Sequence, residues 1–165
     1  MNNLDRFRDI TTFVFDVDGV MTNNQILVLE DGSMLRTMNV RDGYALHRAV
    51  KQGYKVAVIT GGSSEGVIIR LKKLGITDVF SGIRDKREAF DDLVFANDLN
   101  RENVLYMGDD IIDLTVMQQV GLPCSPADGC PEAIQIARYV SPYNGGEGCV
   151  RDVIEKVLRL QGKWA

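Results

Sequence analysis

Phe13-Val14-Phe15-Asp16-Val17-Asp18-Gly19-Val20-Met21-Thr22 sets an apolar run directly before two carboxylates and a glycine. Such a run suits a strand buried on both faces of a parallel sheet. Asp18 and Gly19 are poor strand residues, so the strand is expected to end about Asp16. Two carboxylates then stand at a strand's carboxyl end, where open α/β sheets bind ligands. Anions this close repel unless positive charge lies between them, and a divalent cation is the simplest source. An acidic turn at a plain strand end is the alternative.

The rest of the chain narrows the choice. Its 165 residues, 45% hydrophobic and 25% charged, form one domain (1–165) large enough for a real core. A net charge of −4 gives no general attraction to nucleic acid or acidic membranes. No apolar run approaches a membrane span, and Met1 to Asp5 lack the layout of a signal peptide. Cys124, Cys130 and Cys149 form no CxxC, and three reduced thiols in a cytoplasmic protein are expected. His47 is the only histidine, which argues against a His-based zinc site or a Ser-His-Asp triad. Chemistry here falls to carboxylates and lysine.

Residues 1–11 read as a polar lead-in. Residues 25–38 carry two strand-like runs around Glu30-Asp31-Gly32-Ser33, a hairpin signal. Asp42 is expected to cap a helix to Gln52, which Gly53 stops. Tyr54 to Thr60 is the second parallel strand. Ser63 is expected to cap the next helix, to Leu74. Asp78-Val79-Phe80 is a short strand, and Asp85 with Glu88 suggests a capping box. Asn103 to Met107 is another buried strand. Pro131 opens a small helix, Tyr139-Val140 is a last strand, and residues 144–148 read as a flexible loop. Val150, Val153, Ile154, Val157 and Leu158 give a helical core stripe within the tail, 144–165.

Strand and helix alternate throughout, which predicts a doubly wound parallel α/β sheet, Rossmann-like, with a small hairpin inserted after the first strand. Asp16 with Asp18, Thr60-Gly61, Gly82 to Lys86, and Gly108-Asp109-Asp110 then converge on one edge. Thr60 and Gly61 offer a hydroxyl and open backbone amides to phosphoryl oxygens, or form only a strand-to-helix turn. Lys86 is either a solvated lysine or a phosphate clamp. Asp109 and Asp113 are either helix-capping acids or metal ligands.

DVDGVMT, ITGG, the lysine of RDKREAF, and GDDIIDL resemble, in order, the four motifs of the haloacid dehalogenase superfamily, across nearly the whole chain. The resemblance implies a magnesium-dependent phosphatase with Asp16 as nucleophile and Asp18 as acid and base. It implies Thr60 and Lys86 on the phosphate. It places magnesium on Asp16, the Asp18 carbonyl and Asp109, with Asp113 behind.

The chain has no room for a cap domain. It resembles the capless branch acting on 3-deoxy-D-manno-octulosonate 8-phosphate in lipopolysaccharide precursor synthesis, whose close relative takes a nine-carbon acid. Asn39-Val40-Arg41-Asp42-Gly43, Arg70 and GGEGCVRD carry that likeness. By the same resemblance, residues 39–43, Gly61, Arg70 and Lys86 contact substrate. It also implies a homotetramer in which a neighbour's hairpin closes each site. Gly62 and His47 depart, standing where many members have arginine. A non-catalytic phosphosugar-binding domain and a phosphate-receiver domain are the competing classes.

Overall fold

The computed structural model describes residues 2–165. Six parallel strands form one sheet: β1 (Thr12–Phe15), β4 (Lys55–Ile59), β5 (Asp78–Phe80), β6 (Val104–Met107), β7 (Leu122–Ser125) and β8 (Tyr139–Val140). Their order is β5-β4-β1-β6-β7-β8. The chain winds outward from β1 in one direction, then returns to wind the other way from β6. The switch point lies beside β1, where the opening motif ends.

β1 is buried along its length, and its side chains alternate between two cores. Phe13 and Phe15 pack with α2 (Val40–Lys51), α3 (Glu65–Lys73) and α7 (Cys149–Leu160). Val14 packs on the opposite side with α4 (Lys86–Asn97), α5 (Leu114–Met117) and α6 (Pro131–Ile136). Val150, Val153, Ile154, Val157 and Leu158 are fully buried, so the stripe of α7 is core.

Between β1 and β4 stand only α2 and a hairpin of β2 (Leu27–Val28) and β3 (Met34–Leu35). Between β5 and β6 stand only α4 and a 3-10 turn, so no cap domain covers the sheet edge. Gly32, at φ +87°, makes the hairpin turn, and its amide donates to the Leu29 carbonyl at 2.9 Å. The hairpin's Leu27, Val28, Met34 and Leu35 are 50–64% exposed.

Several local expectations are corrected. The lead-in contains a helix, α1 (Asn3–Arg8), capped by Asn2 and Asp5 in a reciprocal box; Met1 lies outside the described residues. Its buried Phe7, edge-on to Tyr139 at 5.2 Å, holds it down. Burial of one such ring is worth roughly 2–3 kcal/mol. Asn39, not Asp42, caps α2, because its side-chain Oδ1 accepts from the amides of both Arg41 and Asp42. Ser64, not Ser63, caps α3. Asp85 caps α4 through the Arg87 amide, and Glu88 does not return the bond.

The segment 144–148 is anchored rather than free. Gly146 donates to the Val20 carbonyl at 3.0 Å and accepts from Asn39 Nδ2 at 3.2 Å. Gly145 donates to Asp128 Oδ1 at 2.9 Å. Its missing side chain is what permits this: a Cβ there would stand 1.9 Å from the Gly19 carbonyl oxygen.

Candidate active site

β1 delivers Asp16, whose amide still donates to Met107 of β6 at 3.2 Å. The chain then turns sharply, with the amides of Val20, Met21 and Thr22 all directed to the Val17 carbonyl. Gly19 sits at φ +89°, and a side chain there would fall 1.9 Å from Asp109 Oδ2. The glycine of DVDG is therefore the space that the Asp109 carboxylate fills. Gly108 makes the same allowance for Asp113, whose Cβ would be 2.4 Å from an added one.

Asp16, Asp109 and Asp113 are all buried, and their carboxylate oxygens lie within 4.8 Å of one another. Lys86, the first residue of α4, is 1% exposed. Its Nζ bonds to Asp16 Oδ1 at 2.9 Å and Asp113 Oδ1 at 2.8 Å. A cation at a helix N-terminus opposes the helix dipole, an effect of about 1 kcal/mol. Two buried carboxylates in direct contact outweigh it. Lys86 is thus not a solvated lysine. Tyr106 Oη donates to the same Asp113 oxygen, and Asp113 Oδ2 accepts from the amides of Asp109 at 3.0 Å and Asp110 at 3.2 Å. Asp113 is held on every side and acts as the buttress of the cluster.

One lysine cannot neutralise three carboxylates. Burial, then the nearby Asp113 charge, pushes Asp16 up to about 6 in spite of Lys86. Burial, then Asp16 and Asp113, pushes Asp109 up to about 8. Burial alone would lower the Lys86 pKa, but Asp16 and Asp113 raise it and keep the ammonium charged. Asp109 Oδ1 is buried without a hydrogen-bond partner. Excess negative charge and an orphaned carboxylate oxygen fit a hard divalent cation with oxygen ligands.

Across the edge, Thr60 follows β4 and is buried, and its hydroxyl accepts from the Gly62 amide at 3.2 Å. Asp18 does not belong to the three-carboxylate cluster. Its two oxygens take a fork from Arg36, with Nε at 2.7 Å and Nη2 at 3.1 Å.

Comparison with known proteins agrees with this geometry. A family model described as haloacid dehalogenase-like hydrolase matches residues 37–125. The chain is a haloacid dehalogenase-like hydrolase. Among curated relatives it is 41% identical over 155 residues to the 3-deoxy-D-manno-octulosonate 8-phosphate phosphatase KdsC of Escherichia coli K12, covering 94% of this chain and 82% of that one. A crystal structure of the Yersinia pestis 3-deoxy-D-manno-octulosonate 8-phosphate phosphatase superposes with TM-score 0.94 at 38% identity, covering 97% of this chain and 86% of the other. The Moraxella catarrhalis enzyme, in complex with magnesium, phosphate and KDO, superposes with TM-score 0.92 at 32% identity, covering 96% and 91%.

The other residues singled out in this hydrolase lie on or near α2. Val40 and Arg41 are exposed in its first turn. Asp42 is buried, and its Oδ1 accepts from the Arg151 amide at 3.0 Å, capping α7. Gly43 leaves room for Arg70, whose Nη2 would stand 2.6 Å from an added Cβ. Arg70 Nε is buried without a partner. A cleft of about 500 Å³ lined by Asn39, Arg41, Arg151 and the carboxylates of Glu147, Asp152 and Glu155 includes none of Asp16, Asp18, Asp109 and Asp113. His47 turns aside and donates through Nδ1 to the Leu74 carbonyl at 3.1 Å. Sequence reading missed Tyr106 and Arg36. Tyr106 lies in an apolar strand run, where its hydroxyl carries no signal. Arg36 lies in the hairpin's second run, and its partner is fixed only by the fold.

Proposed function

We propose that this hydrolase removes phosphate from 3-deoxy-D-manno-octulosonate 8-phosphate, releasing the eight-carbon acid for lipopolysaccharide precursor synthesis. The observation that carries the proposal is the buried Asp16–Lys86–Asp113–Asp109 cluster at the switch-point edge. Identity above 30% to phosphatases of that substrate, one of them crystallised with magnesium, phosphate and KDO, supports it.

In this reading Asp16, fixed by Lys86 and by the Val17 amide at 2.7 Å, attacks phosphorus in line. The new bond joins an Asp16 oxygen to phosphorus as the bond to the sugar oxygen breaks. Asp18 gives that leaving oxygen a proton. Asp18 then takes a proton from water, which attacks phosphorus and releases phosphate from Asp16. Thr60, the Gly61 backbone and Lys86 hold the phosphoryl oxygens. Magnesium, held by Asp16, Asp109 and the Asp18 carbonyl with Asp113 behind, would supply positive charge against those oxygens. Asn39, Val40, Arg41, Asp42, Gly43 and Arg70 form the sugar side, Arg41 by its exposed side chain and Asp42 and Gly43 by the shape they give α2.

The exposed apolar hairpin supports assembly as a homotetramer in which a neighbour's hairpin closes each site. Three free cysteines fit a cytoplasmic setting. Among the described residues no helix is long and apolar enough to cross a membrane.

Phosphate release from eight- and nine-carbon keto-deoxy sugar phosphates, with magnesium and with chelator, tests the proposal. Selective release from the eight-carbon acid that chelation abolishes is expected. Preference for the nine-carbon acid would move the substrate assignment, and no release at all would end the catalytic reading.

A further inference from the structure

Arg36 has no role in the mechanism above, yet it joins the hairpin to the catalytic edge. It follows β3, whose own residues are half or more exposed, but its side chain is only 8% exposed. The guanidinium turns inward and commits both oxygens of Asp18. Gly62 shapes the space it enters. A Cβ at Gly62 would stand 3.1 Å from Arg36 Nη2, 3.4 Å from Asp18 Oδ2 and 3.6 Å from Thr60 Oγ1. The guanidinium, the acid and the phosphate-side hydroxyl thus surround one point that the glycine leaves empty.

A guanidinium fork fits phosphate oxygens as well as carboxylate oxygens, so a phosphoryl group arriving beside Thr60 is a direct competitor for Arg36. While the fork is in place, each Asp18 oxygen already accepts from Arg36, so a leaving group would have to share an oxygen with the guanidinium. We propose that Arg36 is a phosphoryl contact held in reserve on Asp18, transferring to the substrate's phosphoryl oxygens as they bind and freeing Asp18 in the same movement. This rests on the phosphatase reading of the site. It makes the hairpin a carrier of one catalytic contact, so hairpin position and Asp18 availability are linked. A simple strut between hairpin and domain is the rival account.

A double-mutant cycle on the intact protein separates them, with inorganic phosphate as the probe, magnesium present, and calorimetric affinity as the readout. Arg36→Gln is expected to weaken phosphate binding at least fivefold, and Arg36→Lys to recover part of that loss. Asp18→Asn, which removes the competing anion, is expected to tighten phosphate binding at least threefold when Arg36 is present. Coupled to Arg36→Gln, it is expected to give no such tightening. Unchanged affinity in Arg36→Gln, or the same tightening by Asp18→Asn with and without Arg36, would overturn the proposal. The cycle needs no turnover, so it decides the role of Arg36 even if the sugar-phosphate panel fails.

Discussion

Lys86 Nζ lies 2.9 Å from Asp16 Oδ1, with the lysine side chain wholly buried and the aspartate nearly so. The pair links α4 to the end of β1, and the second contact to Asp113 links both to the chain after β6. Lys86→Met keeps much of the volume and leaves three carboxylates facing one another. Removing one partner of a buried ion pair costs about 3–5 kcal/mol. Thermal unfolding in chelator is expected to show that loss. Millimolar magnesium is expected to restore more stability to the variant than to the wild type, since a cation binds only the folded cluster. Equal stability of the two proteins in chelator would contradict the account.

Gly145 and Gly19 touch backbone to backbone, so Gly145→Ala cannot be accommodated without moving the turn that carries Asp18. Overpacking of this kind costs about 1–3 kcal/mol. Denaturant unfolding is expected to report that loss, together with a fall in kcat. A variant as stable and as active as wild type would show that the segment 144–148 does not buttress the turn.

Asp42 is held at about 6 by burial, above the ordinary carboxylate value of 3.8. The folded state therefore binds this proton more tightly than the unfolded state. Its contribution to stability falls as pH rises from about 4 to about 6, and the full penalty, up to roughly 3 kcal/mol for about two units, persists above that. Asp42→Asn keeps an acceptor for the Arg151 amide and removes the charge. Relative to wild type, the variant is expected to be more stable at pH about 7.5 than at pH about 4. A difference independent of pH would show that Asp42 does not titrate this way.

Leu27, Val28, Met34 and Leu35 present a small apolar surface on the hairpin. If the proposed homotetramer buries this surface, Leu27→Asp with Met34→Asp is expected to shift sedimentation towards the monomer and to lower activity with it. A tetramer that survives both changes would place the interface elsewhere.

Much of the architecture was legible because it rests on local rules. Phe13 to Phe15 and Val104 to Met107 are apolar runs that end in acidic or glycine turns, and the stripe of α7 keeps helical spacing over three turns. The convergence of Asp16, Lys86 and Asp109 on one edge followed from alternation, since a doubly wound sheet brings those strand ends together, but alternation left open whether Lys86 was solvated and whether Asp109 only capped a helix. What escaped depended on distance in sequence. α1 has two apolar residues, an exposed Leu4 and a Phe7 buried against Tyr139, so its packing partner decides it. Asn39 wins the cap from Asp42 because Asp42 is drawn into α7 by the Arg151 amide. The glycines at 145 and 146 read as flexible, yet they are small so that two backbones can touch. The Arg36–Asp18 fork needs a hairpin angle that no local pattern encodes.

The measurement that bears most directly on the account is the site of phosphoryl attachment during turnover of 3-deoxy-D-manno-octulosonate 8-phosphate. Borohydride reduction of quenched enzyme converts an aspartyl phosphate to homoserine, which peptide mapping locates. The account predicts homoserine at position 16 only when substrate and magnesium are both present. Steady turnover with position 16 unmodified, or with the modification at another aspartate, would contradict it.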